Sequence, residues 1–179
     1  MTLQNTSEKF GTLTKFLHWV IFLLFVIQYY LVYRREYFPK DTNEKLQYIL
    51  LHKSLGICVL LLAAFMLAWR NVGTRPLMPS NMALIERKAA KITHILLYVA
   101  MFIMPLSGIF MSMFGGYKIS FFGLFEFPML FAKNETMGNI LYDTHVWSSY
   151  LIIGLVAIHA SAALYHHFVR KDNVLRRMI

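Results

Sequence analysis

The sequence has 179 residues, of which 58% are hydrophobic and only 15% are charged. This balance is far more apolar than that of soluble domains and argues against one. The formal net charge of +9 would suggest nucleic-acid binding in a soluble protein. In a membrane protein, topology and anionic headgroups account for it, so membrane lipid is an expected partner and nucleic acid is not.

Four apolar runs are long enough to cross a hydrocarbon core of about 30 Å, which takes about 20 helical residues. In chain order they are Phe16–Tyr33, Ile49–Trp69, Ile92–Phe114 and Val146–Phe168. Backbone groups in lipid must be bonded within the chain, so these runs predict helices. With their flanks, the helices are predicted at about residues 12–33, 46–70, 84–114 and 140–169. The predicted fold is all-α: an integral membrane four-helix bundle, forming a single domain over residues 1–179.

The first run follows a basic N-terminal segment, as the apolar part of a cleaved signal peptide would. It is too long for such a peptide and ends in Tyr33, Arg34 and Arg35 without a small-residue cleavage site. We interpret it as a retained helix. Cys58, the single cysteine, lies inside the second run and has no partner for a disulfide.

Lys and Arg are distributed unequally between the two sides of the predicted bundle. The side with both termini and the middle loop has eleven of them, and the side with the first and third loops has seven. With the acidic residues included, the two sides carry +8 and +1. Because Lys and Arg accumulate in short cytoplasmic loops, both termini are predicted to be cytoplasmic.

One helix carries two histidines at a spacing that indicates function. His145 and His159 are fourteen residues apart, which is about 21 Å along a helix. Fourteen steps of about 100° bring the second to within about 40° of the first, so both face the same way. Ionisable residues inside membrane spans are costly, and they usually mark functional sites.

The depth of each of these histidines in the membrane predicts its partner. The second helix starts outside, which puts His52 level with His145, and the first starts inside, which puts His18 near the level of His159. A six-coordinate haem iron needs one ligand above the haem ring and one below it, and two histidines can fill these positions. Zinc instead gathers four ligands at one point. The pattern predicts two haems, and the absence of a C-x-x-C-H sequence makes them b-type.

Glycines and other histidines surround these positions. Gly56, Gly108 and Gly154 leave room for a flat macrocycle, although close helix packing is an alternative explanation. His94 is interpreted as a neighbour of the inner haem, because both irons already have their ligands. His166 follows His159 by seven residues on nearly the same face and is a candidate quinone-binding residue. An interfacial role at the headgroups is the alternative for His166 and His167.

The outer loops carry two further features. Basic residues cluster there among acidic ones, so the cluster either attracts a small anionic electron donor or is a plain solvated loop; its members are Arg34, Arg35, Lys40, Lys45 and Lys53. In the third loop, the apolar stretch Ile119–Leu130 is broken by Gly123 and Pro128 and is too short to span. It is expected to lie on the outer membrane surface and cap the outer haem.

These residues together resemble the bacterial cytochrome b561 family over almost the whole chain. The matching segments are His18-Trp19, HKSLGI at 52–57, MPLSG at 104–108, His145 and His159 at their spacing, and Tyr165-His166-His167 with KDNVLRRM at 171–178. The ordered set of histidines is more specific than any single motif.

The resemblance implies a bacterial cytoplasmic-membrane cytochrome with two b haems, one held by His52 and His145, the other by His18 and His159. It implies electron transfer between the periplasmic side and the quinone pool. One branch resembles a superoxide oxidase that passes electrons from superoxide to ubiquinone. Two alternatives from other classes remain: a haem-bearing membrane anchor of a larger dehydrogenase or hydrogenase, and a haem-free scaffold or transporter. The sequence identifies no protein partner.

Overall fold

Four long helices form the protein, a computed structural model of which describes residues 2–79 and 82–179. They are α1 (Thr12–Arg35), α2 (Asn43–Arg70), α3 (Leu84–Phe114) and α4 (Glu135–Tyr165). At 1.5 Å per residue they are about 36 to 46 Å long, which exceeds a hydrocarbon core of about 30 Å. Each contains an apolar window suited to a membrane span. The prediction of an all-α, four-helix membrane bundle is confirmed.

Polar caps set where two of the helices begin. The Thr42 side chain accepts a hydrogen bond from the Lys45 backbone N–H, so α2 begins at Asn43. The Asn134 side chain accepts one from the Met137 N–H at 3.0 Å, so α4 begins at Glu135. Such caps satisfy N–H groups that have no partner within the helix. Both helices therefore start a few residues before their apolar runs.

A short β-hairpin occupies the loop between α3 and α4. Strands β1 (Ile119–Phe121) and β2 (Phe125–Phe127) are antiparallel, and Phe122 and Gly123 take positive φ angles of 51° and 75° at the turn. The buried Ser54 of α2 accepts a hydrogen bond from the Phe122 N–H at 2.8 Å. The sequence did not predict this hairpin, which is docked on α2.

The helices pack as two pairs. Contacts are most extensive between α3 and α4 and then between α1 and α2, and α2 also packs on α3. A buried cluster of Ala100, Ile152 and Leu155 joins α3 to α4, and Phe25 of α1 packs against it. Within the described residues, the backbones of α1 and α2 make almost no close approach to α4. A gap therefore separates α4 from the first two helices.

The chain ends in two tight turns at the end of the bundle where α1 begins. We call this end the inner end and the opposite one the outer end, after the predicted topology. A π-helical turn, His166–Arg170, follows α4 directly, and a 3-10 turn, Leu175–Arg177, follows it. Lys15 donates to the Ile179 carbonyl at 2.7 Å, and the Trp19 indole donates to the Met178 carbonyl at 2.9 Å. These bonds fold the C-terminal segment back against α1.

Candidate functional site

The four histidines of the predicted pairs meet across the gap. The ring centres of His52 and His145 lie 6.1 Å apart, and those of His18 and His159 lie 6.0 Å apart. All four side chains are half-buried. The structure thus brings together the two pairs that the depth argument predicted, one near each end of the bundle.

The spacing fits one metal ion between each pair. A metal–imidazole bond is about 2.0 Å, and the ring centre lies about 1.1 Å behind the coordinating nitrogen, given C–N bonds of about 1.33 Å. Ligands on opposite sides of an iron would have ring centres about 6.2 Å apart, close to the 6.0 and 6.1 Å found. Two such imidazoles are the axial ligands of a six-coordinate haem.

Space beside the outer pair also fits a macrocycle. An open cavity of about 190 Å³ adjoins His52 and His145. Its lining is mostly apolar, as it is in sites for large ligands. Gly56 and Gly108 line this cavity, and a Cβ on Gly154 would meet nothing within 4 Å. The residues present therefore fit a haem between α4 and the first two helices.

Helix α3 holds His145 in place. The Nδ1 of His145 lies 2.8 Å from the Met104 carbonyl oxygen and 3.4 Å from the Ser107 hydroxyl. A Cβ on Gly108 would lie 3.0 Å from the ring Cε1, so this glycine lets the imidazole rest on the α3 backbone. Donation from Nδ1–H to the carbonyl fixes the tautomer and leaves Nε2 for a metal.

His52 is held differently from His145. The buried Gln28 of α1 donates from Nε2 to the His52 backbone carbonyl at 3.1 Å. The His52 Nδ1 and the Gln28 Oε1 are both buried, and neither has a hydrogen-bond partner among the described residues. The two outer ligands therefore differ in their support, because only His145 has a strong acceptor at Nδ1.

A third histidine lies beside the inner pair. The ring centre of His94 is 5.2 Å from that of His159, with the rings nearly perpendicular. This is about 1 Å shorter than an iron-bridged pair would be, so His94 touches the His159 ring directly. It takes the neighbouring position that the sequence suggested. In the part of the chain that the structure describes, no three His, Cys, Asp or Glu side chains form a metal cluster.

The predicted quinone-binding residue His166 is buried at the inner end of the bundle, 7% exposed. Its Nδ1 lies 2.6 Å from the Asp172 carboxylate. Sequence reasoning missed Asp172, because a tight turn at the end of α4 brings it back to the ring. His167 is half-buried, and its Nδ1 has no partner among residues 2–79 and 82–179.

Basic side chains line the outer cavity. Arg35 and Lys53 are among the lining residues, and Arg35 also pairs with Glu36 at 2.9 Å. The Lys53 ammonium donates to the Lys118 carbonyl at 3.4 Å. A hydrogen bond to Glu126 raises the pKa of Lys118, so this ammonium is held in an ion pair with that carboxylate. Arg35 and Lys53 thus contribute positive charge to the lining of this cavity.

Comparison with known proteins gives a consistent result. The family model described as prokaryotic cytochrome b561 matches residues 9–179. Cytochrome b561 homolog 1 of Escherichia coli (strain K12) is 32% identical, covering 96% of this chain and 97% of its own length. Cytochrome b561 homolog 2 of the same organism is 28% identical, covering 100% and 95%. The probable superoxide oxidase CybB of Yersinia pestis is 31% identical, covering 96% of each chain.

Proposed function

This chain belongs to the prokaryotic cytochrome b561 family, and we propose that it carries electrons from a donor at the outer membrane face to ubiquinone at the inner face. Family membership makes it a multi-pass haem b protein of the bacterial inner membrane that works in electron transport. The haem-free alternative is therefore set aside.

The proposed ligands are His52 and His145 for an outer haem, and His18 and His159 for an inner one. The observation that carries this assignment is the pair of ring spacings, 6.1 and 6.0 Å, at two depths of one gap. A bound haem supplies an iron that takes up and releases single electrons. Because each pair of histidines would occupy both sides of its iron, a small molecule would exchange electrons with the haem without binding the metal.

Superoxide is the proposed electron donor. The 31% identity to the probable superoxide oxidase of Yersinia pestis supports this choice. So do Arg35 and Lys53 at the outer cavity, because positive charge attracts an anion and speeds its encounter. Two superoxide anions give up one electron each and leave as two dioxygen molecules. Two protons from the inner side complete the conversion of ubiquinone to ubiquinol.

The termini are proposed to be cytoplasmic, as the distribution of Lys and Arg predicts. His166 then lies on the cytoplasmic side, beyond the inner pair along α4. Its buried ring is proposed to hydrogen-bond a quinone carbonyl.

Superoxide consumption by the purified, haem-loaded protein tests this function. We expect consumption to depend on added ubiquinone and to yield ubiquinol at half the rate of superoxide loss. The rate should fall as salt rises, because salt screens the attraction of the anion. The same amount of haem-free protein is the control. Consumption no faster than with that control would refute superoxide as the donor.

A further inference from the structure

A buried histidine–aspartate pair lies at the inner end of the bundle, outside both proposed haem sites. The His166 Nδ1 and the Asp172 Oδ2 are 2.6 Å apart, and each side chain is only 9% exposed. His166 is seven residues beyond His159, the proposed inner ligand. Two polar side chains buried against each other at this position call for an explanation beyond packing.

The backbone is shaped to bring these two side chains together. The π-helical turn ends at Arg170, and Lys171 takes a left-handed conformation with φ of 54°. The Asp172 N–H then donates to the His166 carbonyl at 3.2 Å. π-turns are uncommon in helices and occur often at functional sites. The turn reverses the chain so that residue 172 returns to the ring of residue 166.

Asp172 is held as a carboxylate. Burial raises the pKa of its carboxyl, but hydrogen bonds from the Val174 N–H and from His166 outweigh this, so the pKa lies below its ordinary value. The Val174 N–H donates to Oδ1 at 3.0 Å, which leaves Oδ2 to accept from the imidazole. Nδ1 therefore keeps its hydrogen, and proton exchange is confined to Nε2. None of the described residues forms a hydrogen bond with Nε2.

We propose that Asp172 is a positioning residue that orients His166 as the proton donor to a quinone at the inner face. The inference rests on the proposed reduction of ubiquinone. As the quinone is reduced, the Nε2–H proton moves to a carbonyl oxygen and an O–H bond forms. The N–H bonding pair stays on Nε2, which leaves a neutral ring still bonded to Asp172. A haem held by His18 and His159 would supply the electrons, and the aqueous phase on the inner side restores the proton and supplies the second one.

The charges around the pair favour this arrangement. Arg170, in the same turn, lies 3.4 Å from Glu86 of α3. The following 3-10 turn adds Arg176 and Arg177, the second of which donates to the Leu77 carbonyl. Asp172 is thus the anion that directly contacts the ring, and its hydrogen bond with Nδ1 fixes the direction in which Nε2 points.

The test is stopped-flow reoxidation of the purified, haem-loaded protein. The haems are reduced chemically and mixed with a short-chain ubiquinone, and their absorbance is followed in H₂O and in D₂O. Asp172→Asn keeps the shape but removes the anion. Asp172→Glu tests rescue, and His166→Gln removes the donor. Asp41→Asn is the matched control, because it makes the same change in an exposed outer loop.

We expect Asp172→Asn to slow reoxidation by roughly tenfold to a hundredfold, as loss of an orienting partner does, with the haem spectra unchanged. Its solvent isotope effect should rise, since proton transfer becomes limiting. Asp172→Glu should recover part of the rate, and Asp41→Asn should match the wild type.

Three outcomes would overturn the inference, and they are distinguishable. Wild-type protein that ubiquinone does not reoxidise would refute the proposed function, and the inference with it. Slow reoxidation of His166→Gln, together with reoxidation of Asp172→Asn at the wild-type rate, would support the quinone reaction but refute the role of Asp172. Slow reoxidation of Asp172→Asn with an unchanged solvent isotope effect would show that Asp172 only supports the fold of the tail.

Discussion

His145 is held by α3 through two contacts that do not involve a cofactor. Its Nδ1 lies 2.8 Å from the Met104 carbonyl oxygen, and its ring rests against Gly108. A hydrogen bond of this kind raises the basicity of a ligand histidine and tunes the metal that it binds. His52 lacks an equivalent partner among the described residues. The α3 contact can therefore set the position and the basicity of the His145 ring at the outer site.

Gly108→Ala should disturb the outer haem and leave the inner one unchanged. The new Cβ would lie 3.0 Å from the His145 Cε1, which is tighter than ordinary packing, so the ring must shift. A shift of the ring lengthens the bond to the Met104 carbonyl. We expect a changed midpoint potential or lower occupancy for one haem of the two, measured by redox titration of the absorbance.

Gly138→Ala, in the first turn of α4, is the control. Its Cβ would make contacts of 3.5 Å and longer, which are ordinary, so both haems should behave as in the wild type. If Gly108→Ala left both midpoint potentials and both occupancies unchanged, α3 would not control the outer site.

For individual residues, the sequence predicted the histidine pairs but not the groups that support them, such as the Met104 carbonyl. The pairing of His18 with His159 and of His52 with His145 follows from counting residues along helices of known direction. The supports depend on how one helix is rotated against another, which the sequence does not reveal. Asp172 was missed for a similar reason, because only the π-turn brings it to His166. The role of the four histidines as haem ligands stays a prediction.

The hairpin between α3 and α4 is the element that the sequence pattern left undefined. Its two strands have three residues each, too few for an alternating pattern to stand out in an apolar segment. One buried hydroxyl contributes to its attachment, since the Ser54 Oγ accepts from the Phe122 N–H and donates to the Leu50 carbonyl, both at 2.8 Å. Ile119 of the hairpin also lines the outer cavity.

Ser54→Ala should loosen the hairpin. It leaves the Phe122 N–H without its partner, at a cost of about 1–3 kcal/mol for a buried group. We expect faster hydrogen exchange of the amides in residues 119–127 and a lower thermal transition. Ser112→Ala is the control, because that buried hydroxyl bonds only within its own helix, to the Gly108 carbonyl. Equal exchange of the hairpin in both variants would show that Ser54 does not hold it.

The presence of the four helices was easier to predict than the residues at which they begin and end. The long apolar runs identified all four spans, because lipid leaves an apolar chain few alternatives to a helix. The starts were less accurate, because α4 begins at a polar cap, Asn134, before its apolar run. The π-turn after Tyr165 has no clear sequence signal, since its residues also suit an α-helix.

At the scale of the whole molecule, the protein is two helix pairs with a gap between α4 and the first two helices. The proposed sites lie at the two ends of this gap, about 21 Å apart along α4. Between them, the Tyr29 hydroxyl of α1 donates to the Ser149 carbonyl of α4 at 2.7 Å, and Phe25 packs beside Tyr29. The gap is thus bridged between the two sites, about one helical turn from His145.

Haem stoichiometry in wild-type and His159→Ala protein tests the account most directly. The pyridine haemochrome assay on purified protein should give two haems b per wild-type chain. His159→Ala should give one, with the redox behaviour of the outer haem retained, because His52 and His145 do not depend on the inner pair. A single haem in the wild type, or the loss of both in His159→Ala, would contradict two independent histidine-ligated sites.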